Sequence, residues 1–328
     1  MVTRATRPDL HLIAACSDRK KAGSTTALRL RDVPDGDAES RAKKWIAIRD
    51  SSESSSAKPA ERLYAGDHWN ACLRLRENAL GEGYTINLWA ASAGYGLLHA
   101  DDLVIPYAAT FARTHDDSVL RGVTPSEEPT TLATWWSTMN LAQSGRRLSR
   151  TTIGQIAASD PETPIIVVAS RQYLLAMAPD LATAAKHLCP KELLSIVSVG
   201  AGEIPCLKPF LIDCDSTLQH LVGGALHSLN ARIASRAIRE ALNSGLGASR
   251  PILQEVIDHW EKRALTKYDR KTRSDYEIAS YIRDALTTDP NLTHTALLRR
   301  FRDAGNACEQ TRFRDIFRTE KTAVTPDA

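Results

Sequence analysis

The sequence lacks the signatures of several familiar enzyme classes. It contains no GxxxxGK[ST] phosphate loop, no GxGxxG turn tied to a strand, no HExxH helix and no GxSxG elbow. Phosphate-loop nucleotide hydrolysis, a Rossmann dehydrogenase, a zincin and a serine hydrolase are therefore left without a sequence basis. Cysteine is sparse: Cys16, Cys72, Cys189, Cys206, Cys214 and Cys308 are scattered, with no CxxC pair. That spacing excludes a disulfide framework and a clustered zinc site, and predicts reduced, mostly buried thiols of a cytoplasmic protein. No apolar run is long enough to cross a bilayer. The run at 10–16, behind a basic 1–8 segment, is too short for a signal-peptide core with its cleavage site, so a cytoplasmic location without membrane attachment is expected. Excess charge is also missing: 42 Lys and Arg stand against 39 Asp and Glu, a formal net charge of +3. A polybasic coat for nucleic acid is excluded, and any such footprint must come from local clustering. No internal repeat is visible.

What is present is 328 residues, of which 43% are apolar. That is enough for a sizeable core and for about two domains. Residues 9–16 read as a buried strand that stops at the polar turn 17–23. Helical spacing follows at 37–48 and again at 59–80, with Gly66 as a break. Residues 86–92 read as a second buried strand leading into the glycine turn Ala93-Gly94-Tyr95-Gly96. A helix carrying Trp135 and Trp136 is expected at 129–143. The β-branched run 164–170 reads as a central strand, followed by a helix at 171–188. Short strands are expected at 193–199 and 209–213. Strand signals end near Asp215, and the Asn-, Ser- and Gly-rich segment 243–250 predicts a boundary between an α/β domain, 1–245, and a helical module, 246–328.

The module carries amphipathic helices at 275–287 and 293–304, the latter with Thr293 as N-cap. A turn at Gly305-Asn306 leads to a third helix at 308–319. Phe313, Ile316 and Phe317 face inward; Gln310, Arg312, Arg314 and Arg318 face outward. Two helices joined by a glycine turn, the second rich in Arg and Gln, are patterned like a helix-turn-helix that contacts phosphates and base edges. Six arginines between Arg299 and Arg318 stand against Asp303, Glu309 and Asp315. The alternative is a three-helix bundle with a solvated charged face.

Three stretches of the α/β part are candidates for chemistry. In the first, Ser17 and Asp18 stand where a strand delivers side chains to a cleft. A carboxylate there can orient water or stabilise a cationic sugar, and Lys20 can act as nucleophile or phosphate clamp. Equally, Asp18 can cap the turn and leave the lysines solvated. In the second, Ser92 precedes Gly94 and Gly96, which let backbone approach a planar ligand. Tyr95 and Tyr107 can stack on a base, and Asp101 or Asp102 can act as general base; a glycine hairpin with packed tyrosines is the competing account. In the third, Ser170 and Arg171 open the helix after the central strand, a place that favours phosphate, although capping alone explains Ser170. Asn230 and Arg232 are polar residues in an apolar helix and point either to the cleft or to a helix end.

The order strand-Cys16-Ser17-x-x-Lys20, Pro59-Ala-Glu-Arg-Leu-Tyr64, Ser92-Ala-Gly-Tyr-Gly96-Leu-Leu and Ile105-Pro-Tyr107 resembles a bacterial domain family. In that family a CSxxK turn precedes an LY helix and an SAKYGL strand-turn. The family is similar to the lysine-transfer domain of archaeosine synthase, which has a Cys-x3-Lys core and handles a deazaguanine base. Cys16 and Lys20 keep that spacing, while the Pro-Tyr that follows the lysine there is Lys21-Ala22 here. These domains look like distant relatives of the uracil-DNA glycosylase fold, a parallel sheet flanked by helices, although no GQDPYH-like turn or HPSxL-like loop is present. Joined to a C-terminal DNA-binding module, such a domain is similar to bacterial anti-phage DNA glycosylases that excise glucosylated hydroxymethylcytosine. The resemblance covers about residues 9–215.

The resemblance implies double-stranded, hypermodified phage DNA as partner, with no cofactor, no metal and no obligate protein partner. A flipped nucleotide would enter the cleft. Tyr95 or Tyr107 would stack on it, with Ser17, Ser92 and Ser170 beside the base. Asp18 would stabilise the sugar cation, assisted by Lys20 and Asp102. Lys20, Arg19 and Arg171 would hold phosphates. Two other readings are carried forward: a transferase modifying a deazaguanine-type base, and a non-catalytic nucleotide sensor that binds DNA.

Overall fold

The computed structural model describes residues 9–16, 28–52, 57–141, 151–202, 204–264 and 269–324. The expected turn at Ser17, Asp18, Arg19 and Lys20 lies outside the described residues. The chain divides into two compact units, residues 1–264 and 265–328.

The first unit is built on a five-stranded sheet. In chain order its strands are β1 (Leu10–Ala15), β2 (Ile86–Ser92), β3 (Gly96–His99), β4 (Ile165–Val168) and β5 (Leu194–Val197), arranged in space as β3-β2-β1-β4-β5. Every pairing is parallel except the β2–β3 hairpin. All six residues of β1 are buried. This is the signature of a strand covered on both faces, and it explains why β1 and β4 read as continuous apolar runs without alternation. Each fully buried Leu, Ile or Val contributes about 2 kcal/mol of transfer free energy.

Helices cover both faces. α1 (Ala38–Ser51), α3 (Glu128–Leu141), α4 (Ile153–Ser159) and α5 (Arg171–His187) pack on one another as one layer. α2 (Asp67–Gly81) and α6 (Leu229–Asn243) pack together and against β1, β2, β4 and β5 as the other. The 59–80 segment is broken around Gly66: the short helix Ala60–Leu63 ends at an extended Tyr64, and Gly66, at φ of 106°, takes the N-cap position of α2. No helix among the described residues is long and apolar enough to cross a membrane.

Two expectations need correction. Residues 209–213 form no strand. Pro205 and Pro209 lie in a 3-10 helix, Pro205–Phe210, because proline cannot donate to a ladder, and only a bridge between Leu211 and Ile196 remains. The unit boundary also lies beyond 243–250. Gly245 and Gly247, at φ of 72° and 78°, turn the chain back into a further helix, α7 (Arg250–Asp258), which packs on α6 and buries Leu253 and Ile257. That glycine-rich stretch is therefore a hairpin within the first unit.

The second unit holds α8 (Asp275–Thr288), α9 (His294–Asp303) and α10 (Gln310–Val324). Ile278, Ile282, Leu286, Leu297, Leu298, Phe301, Phe313 and Phe317 form its own core. Ser274 and Glu277 make a capping box on α8, and Thr293 caps α9. Lys271–Thr272 and Asn306–Ala307 add a short parallel ladder.

Candidate functional site

Among the parallel strands, numbered in chain order, the spatial order is 2-1-3-4. Chain connections leave β1 in opposite directions, so a crevice opens beyond the carboxyl ends of β1 and β4. Open α/β sheets bind ligands at this point. A cavity of about 640 Å3 occupies it, lined by Ala15 and Cys16 at the end of β1, Gly66, Asp67 and His68 at the start of α2, Ser170 and Tyr173 at the start of α5, and His227 and Asn230 at the start of α6. Three helix N-termini thus meet at one cavity, and none of the three N-cap positions, Gly66, Ser170 or Ser228, supplies a side-chain cap. At Gly66 and Ser170 the uncapped backbone N–H groups and the positive end of the helix dipole favour an anionic ligand group; α6 instead continues from the 3-10 turn Leu226–Ser228, whose Leu226 carbonyl takes the Leu229 N–H.

The residues at the rim are tied together across the fold. Asp67 accepts from Arg232 Nε at 2.7 Å and Nη2 at 2.6 Å, and from Ser228 Oγ at 2.5 Å. The Arg232 hydrogen bonds hold the Asp67 carboxyl at about 2, so it is an anion at neutral pH. Asn230 receives Val199 N–H on Oδ1 at 2.8 Å and donates Nδ2 to the Ala169 carbonyl at 3.1 Å, locking the end of β4 to α6. Burial pushes His68 down to about 4, which makes it a neutral imidazole. Its Nε2 is buried without a hydrogen-bond partner.

Behind the cavity lies a buried cluster of hydroxyls around one thiol. Cys16 Sγ is 3.4 Å from Tyr173 Oη and 3.6 Å from Tyr107 Oη. Tyr107 Oη is 2.6 Å from Ser92 Oγ and 3.0 Å from Tyr64 Oη. Ser92 Oγ in turn accepts the N–H groups of Gly94 and Tyr95 at 3.2 and 3.1 Å. Burial holds Tyr64 and Tyr107 well above the usual phenol range, so both remain neutral.

The structure sorts the residues named from sequence. Ser170 lies at the cavity with its hydroxyl exposed: it occupies the N-cap position of α5 without making the capping bond. Ser92 is buried in the hydroxyl cluster, behind the cavity. Tyr95 and Tyr107 are not stacking platforms. Tyr107 has Trp45, Tyr64 and Tyr95 edge-on around its ring, and Tyr95 is capped by the Arg49 guanidinium at 4.8 Å while its hydroxyl engages Ile105. Gly94 does admit a planar group, but the group is Tyr107 itself: a Cβ on Gly94 would stand 2.5 Å from Tyr107 Cε2. Asp102 is buried in a turn, where its carboxylate accepts the His99 N–H at 2.7 Å, and it is not among the residues lining the cavity. Arg171 rests against Gly202, with Nε 3.4 Å from where a Cβ would be. The thiols are all free, but only Cys16, Cys72 and Cys308 are buried; Cys189 and Cys206 are exposed.

Sequence reasoning gave no role to His68, His227, Tyr173 or Asp67. The available signal was position: each falls within three residues of a helix-starting Gly66, Ser170 or Ser228. Among the described residues no group of His, Cys, Asp and Glu side chains is arranged to hold a metal ion.

In the second unit the expected reading helix, 308–319, is α10. Gln310, Arg314 and Arg318 recur every fourth residue and so share one face. Arg312 is turned elsewhere. Its guanidinium pairs with Asp275 at 2.6 Å and donates to the Arg273 carbonyl at 3.1 Å, tying α10 to the start of α8. Comparisons with protein-family models, curated proteins and solved structures gave no match.

Proposed function

We propose that the first unit is a uracil-DNA-glycosylase-like domain that takes one nucleotide flipped out of double-stranded DNA and hydrolyses the bond between its base and its sugar. The intended base is a hypermodified, glucosylated hydroxymethylcytosine of phage DNA, and the setting is anti-phage defence. The observation that carries this reading is the cavity at the β1/β4 switch point: about 640 Å3, bordered by the starts of three helices, two of them uncapped at Gly66 and Ser170, with the imidazoles of His68 and His227, the Tyr173 and Ser170 hydroxyls and the Arg232-paired Asp67 among its lining. That volume is in the range for one small ligand and far from that of a duplex. The helix termini suit the nucleotide's phosphate, and Tyr173 and His68 suit its base.

In this reading Tyr173, rather than Tyr95 or Tyr107, lies against the base. His68 Nε2 accepts a base N–H, and Ser170 and the start of α5 receive the phosphate. Cys16 lines the cavity and Asp18 follows two residues later, which supports Asp18 as the carboxylate that stabilises the sugar cation or orients water. Arg19 and Lys20 follow Asp18 in the sequence and serve phosphate. Leu226, 55% exposed and next in sequence to cavity-lining His227, is an apolar side chain suited to fill the space left in the base stack. The second unit reads as a helix-turn-helix in which Gln310, Arg314 and Arg318 face DNA.

The test is incubation with unmodified and glucosylated phage DNA, followed by mild alkali. Strand breaks and free base from the glucosylated DNA alone are expected. Intact DNA of every type sinks the glycosylase reading, and full activity in Asp18→Ala sinks the carboxylate assignment. A mass gain on the nucleic acid without base release would favour a base-modifying transferase instead.

A further inference from the structure

A groove of about 350 Å3 runs between α2 and α6, lined by Arg74, Asn78, Arg232, Ser235, Arg236 and Arg239 over apolar Leu75, Leu221 and Val222. We propose that this groove is a binding track for the phosphodiester backbone of the DNA strand that delivers its nucleotide to the cavity. The inference rests on the nucleobase reading above and adds a site that reading does not need.

The groove begins at the cavity rim. Asp67 lines the cavity, and its carboxylate is held by Arg232, which lines the groove. From Asp67 to Asn78, α2 advances about 16 Å at 1.5 Å per residue, comparable to the rise of about five nucleotides of one strand at 3.4 Å each.

The charge favours an anion. Four arginines line the groove against one carboxylate, Glu240. Two of the arginines are fixed. Arg232 also donates to the Val222 carbonyl at 3.2 Å; Arg236 donates to the Leu221 carbonyl at 3.0 Å, pairs with Glu240 at 2.7 Å and lies over the Trp260 ring at 4.8 Å. The other two reach outward. Arg74 is exposed and approaches Asp67 only at 3.9 Å, and Arg239 is exposed on the next turn of α6 after Ser235 and Arg236. Arginine at all four positions suits phosphate oxygens, which the planar guanidinium meets with two parallel donors. Asn78 and Ser235 add neutral donors of the kind that accompany phosphate contacts.

The test measures affinity of the full chain for an unmodified duplex of about 20 base pairs as salt is raised from about 50 to 200 mM. Arg74→Gln/Arg239→Gln should lower the slope of log affinity against log salt by about 2 and weaken binding about tenfold. Arg74→Lys/Arg239→Lys keeps the charge and should restore most of the slope. Lys43→Gln/Arg62→Gln removes two exposed charges outside the groove and should leave it unchanged. The track is overturned if the groove variant keeps the parent slope, if the control variant loses as much, or if the parent prefers polyglutamate to DNA. Base release that persists with an unaltered slope removes the track alone; salt-dependent binding without base release from any DNA removes the enzymatic reading alone.

Discussion

Asp67 and Arg232 form a two-point ion pair that joins the first turn of α2 to the first turn of α6. The pair is about seven-tenths buried on both sides, so each charge depends on the other for part of its solvation. Asp67→Asn should leave Arg232 underpaired and cost about 1–3 kcal/mol. The Asp67 carboxyl is about 2 in the folded chain, below its ordinary 3.8. Its contribution is therefore fully present above about pH 4 and lost as pH falls through about 2. Urea unfolding across that window should show a steep acid loss in the parent and a shallower one in Asp67→Asn; equal slopes would refute the assignment.

His68 acts in a different window. Its folded value is about 4 against an ordinary 6.5, because burial disfavours the imidazolium. The unfolded chain binds the extra proton first, so stability falls as pH drops from about 6.5 to about 4 and then levels off, by at most about 3 kcal/mol. His68→Gln should flatten the pH 4–6.5 part of the stability profile while leaving the region below pH 4, governed by Asp67, in place. A profile identical to the parent's between pH 4 and 6.5 would show that His68 is not the titrating group.

Local structure was legible in the sequence where local rules decide it. β2 runs Ile86–Ser92 as read, the 59–80 segment is broken around Gly66, and Thr293 caps α9. The sequence also shows polar residues following β1 and β4, with Ser17 two residues after Ala15 and Ser170 two after Val168, the strand ends beyond which the cavity opens. What the residues there do was less legible, because side-chain environment comes from distant partners. Tyr107 reads as a stacking ring until Trp45 and Tyr64 close around it. His68 and Tyr173 reach one cavity from separate helices, and no spacing in the chain signals that meeting. The helical hairpin at Gly245 and Gly247 looks like a linker because turns and linkers share a composition.

Gly94 tests the packing of the hydroxyl cluster. Any side chain there must displace the Tyr107 ring, whose Cε2 and Cδ2 would lie 2.5 and 2.6 Å from a Cβ. The ring is buried and its hydroxyl is held by Ser92 and Tyr64, so it has little room to move. Gly94→Ala should cost about 2–3 kcal/mol through overpacking. Pairing it with Tyr107→Leu, which removes the clashing ring atoms, should make the two changes strongly non-additive. Thermal unfolding of the two single variants and the double variant provides the measurement, and simple additivity would exclude the contact.

The three arginine positions expected to face outward on α10 should separate into a structural and an interfacial class. Arg312 holds Asp275 and the Arg273 carbonyl, so Arg312→Ala removes a link between α10 and the start of α8. Because the pair is partly exposed, the loss should be about 0.5–1 kcal/mol and should appear as a lower midpoint for the second unit in unfolding. Arg314 and Arg318 recur one turn apart with Gln310. Arg318 is exposed, and Arg314 pairs with its sequence neighbour Asp315 at 3.3 Å, a contact local to α10. Arg314→Ala/Arg318→Ala should therefore leave unfolding unchanged within about 0.5 kcal/mol, while lowering the salt slope of duplex binding by about 2. If the double variant unfolds early and binds DNA like the parent, the face is structural and the reading-helix assignment fails.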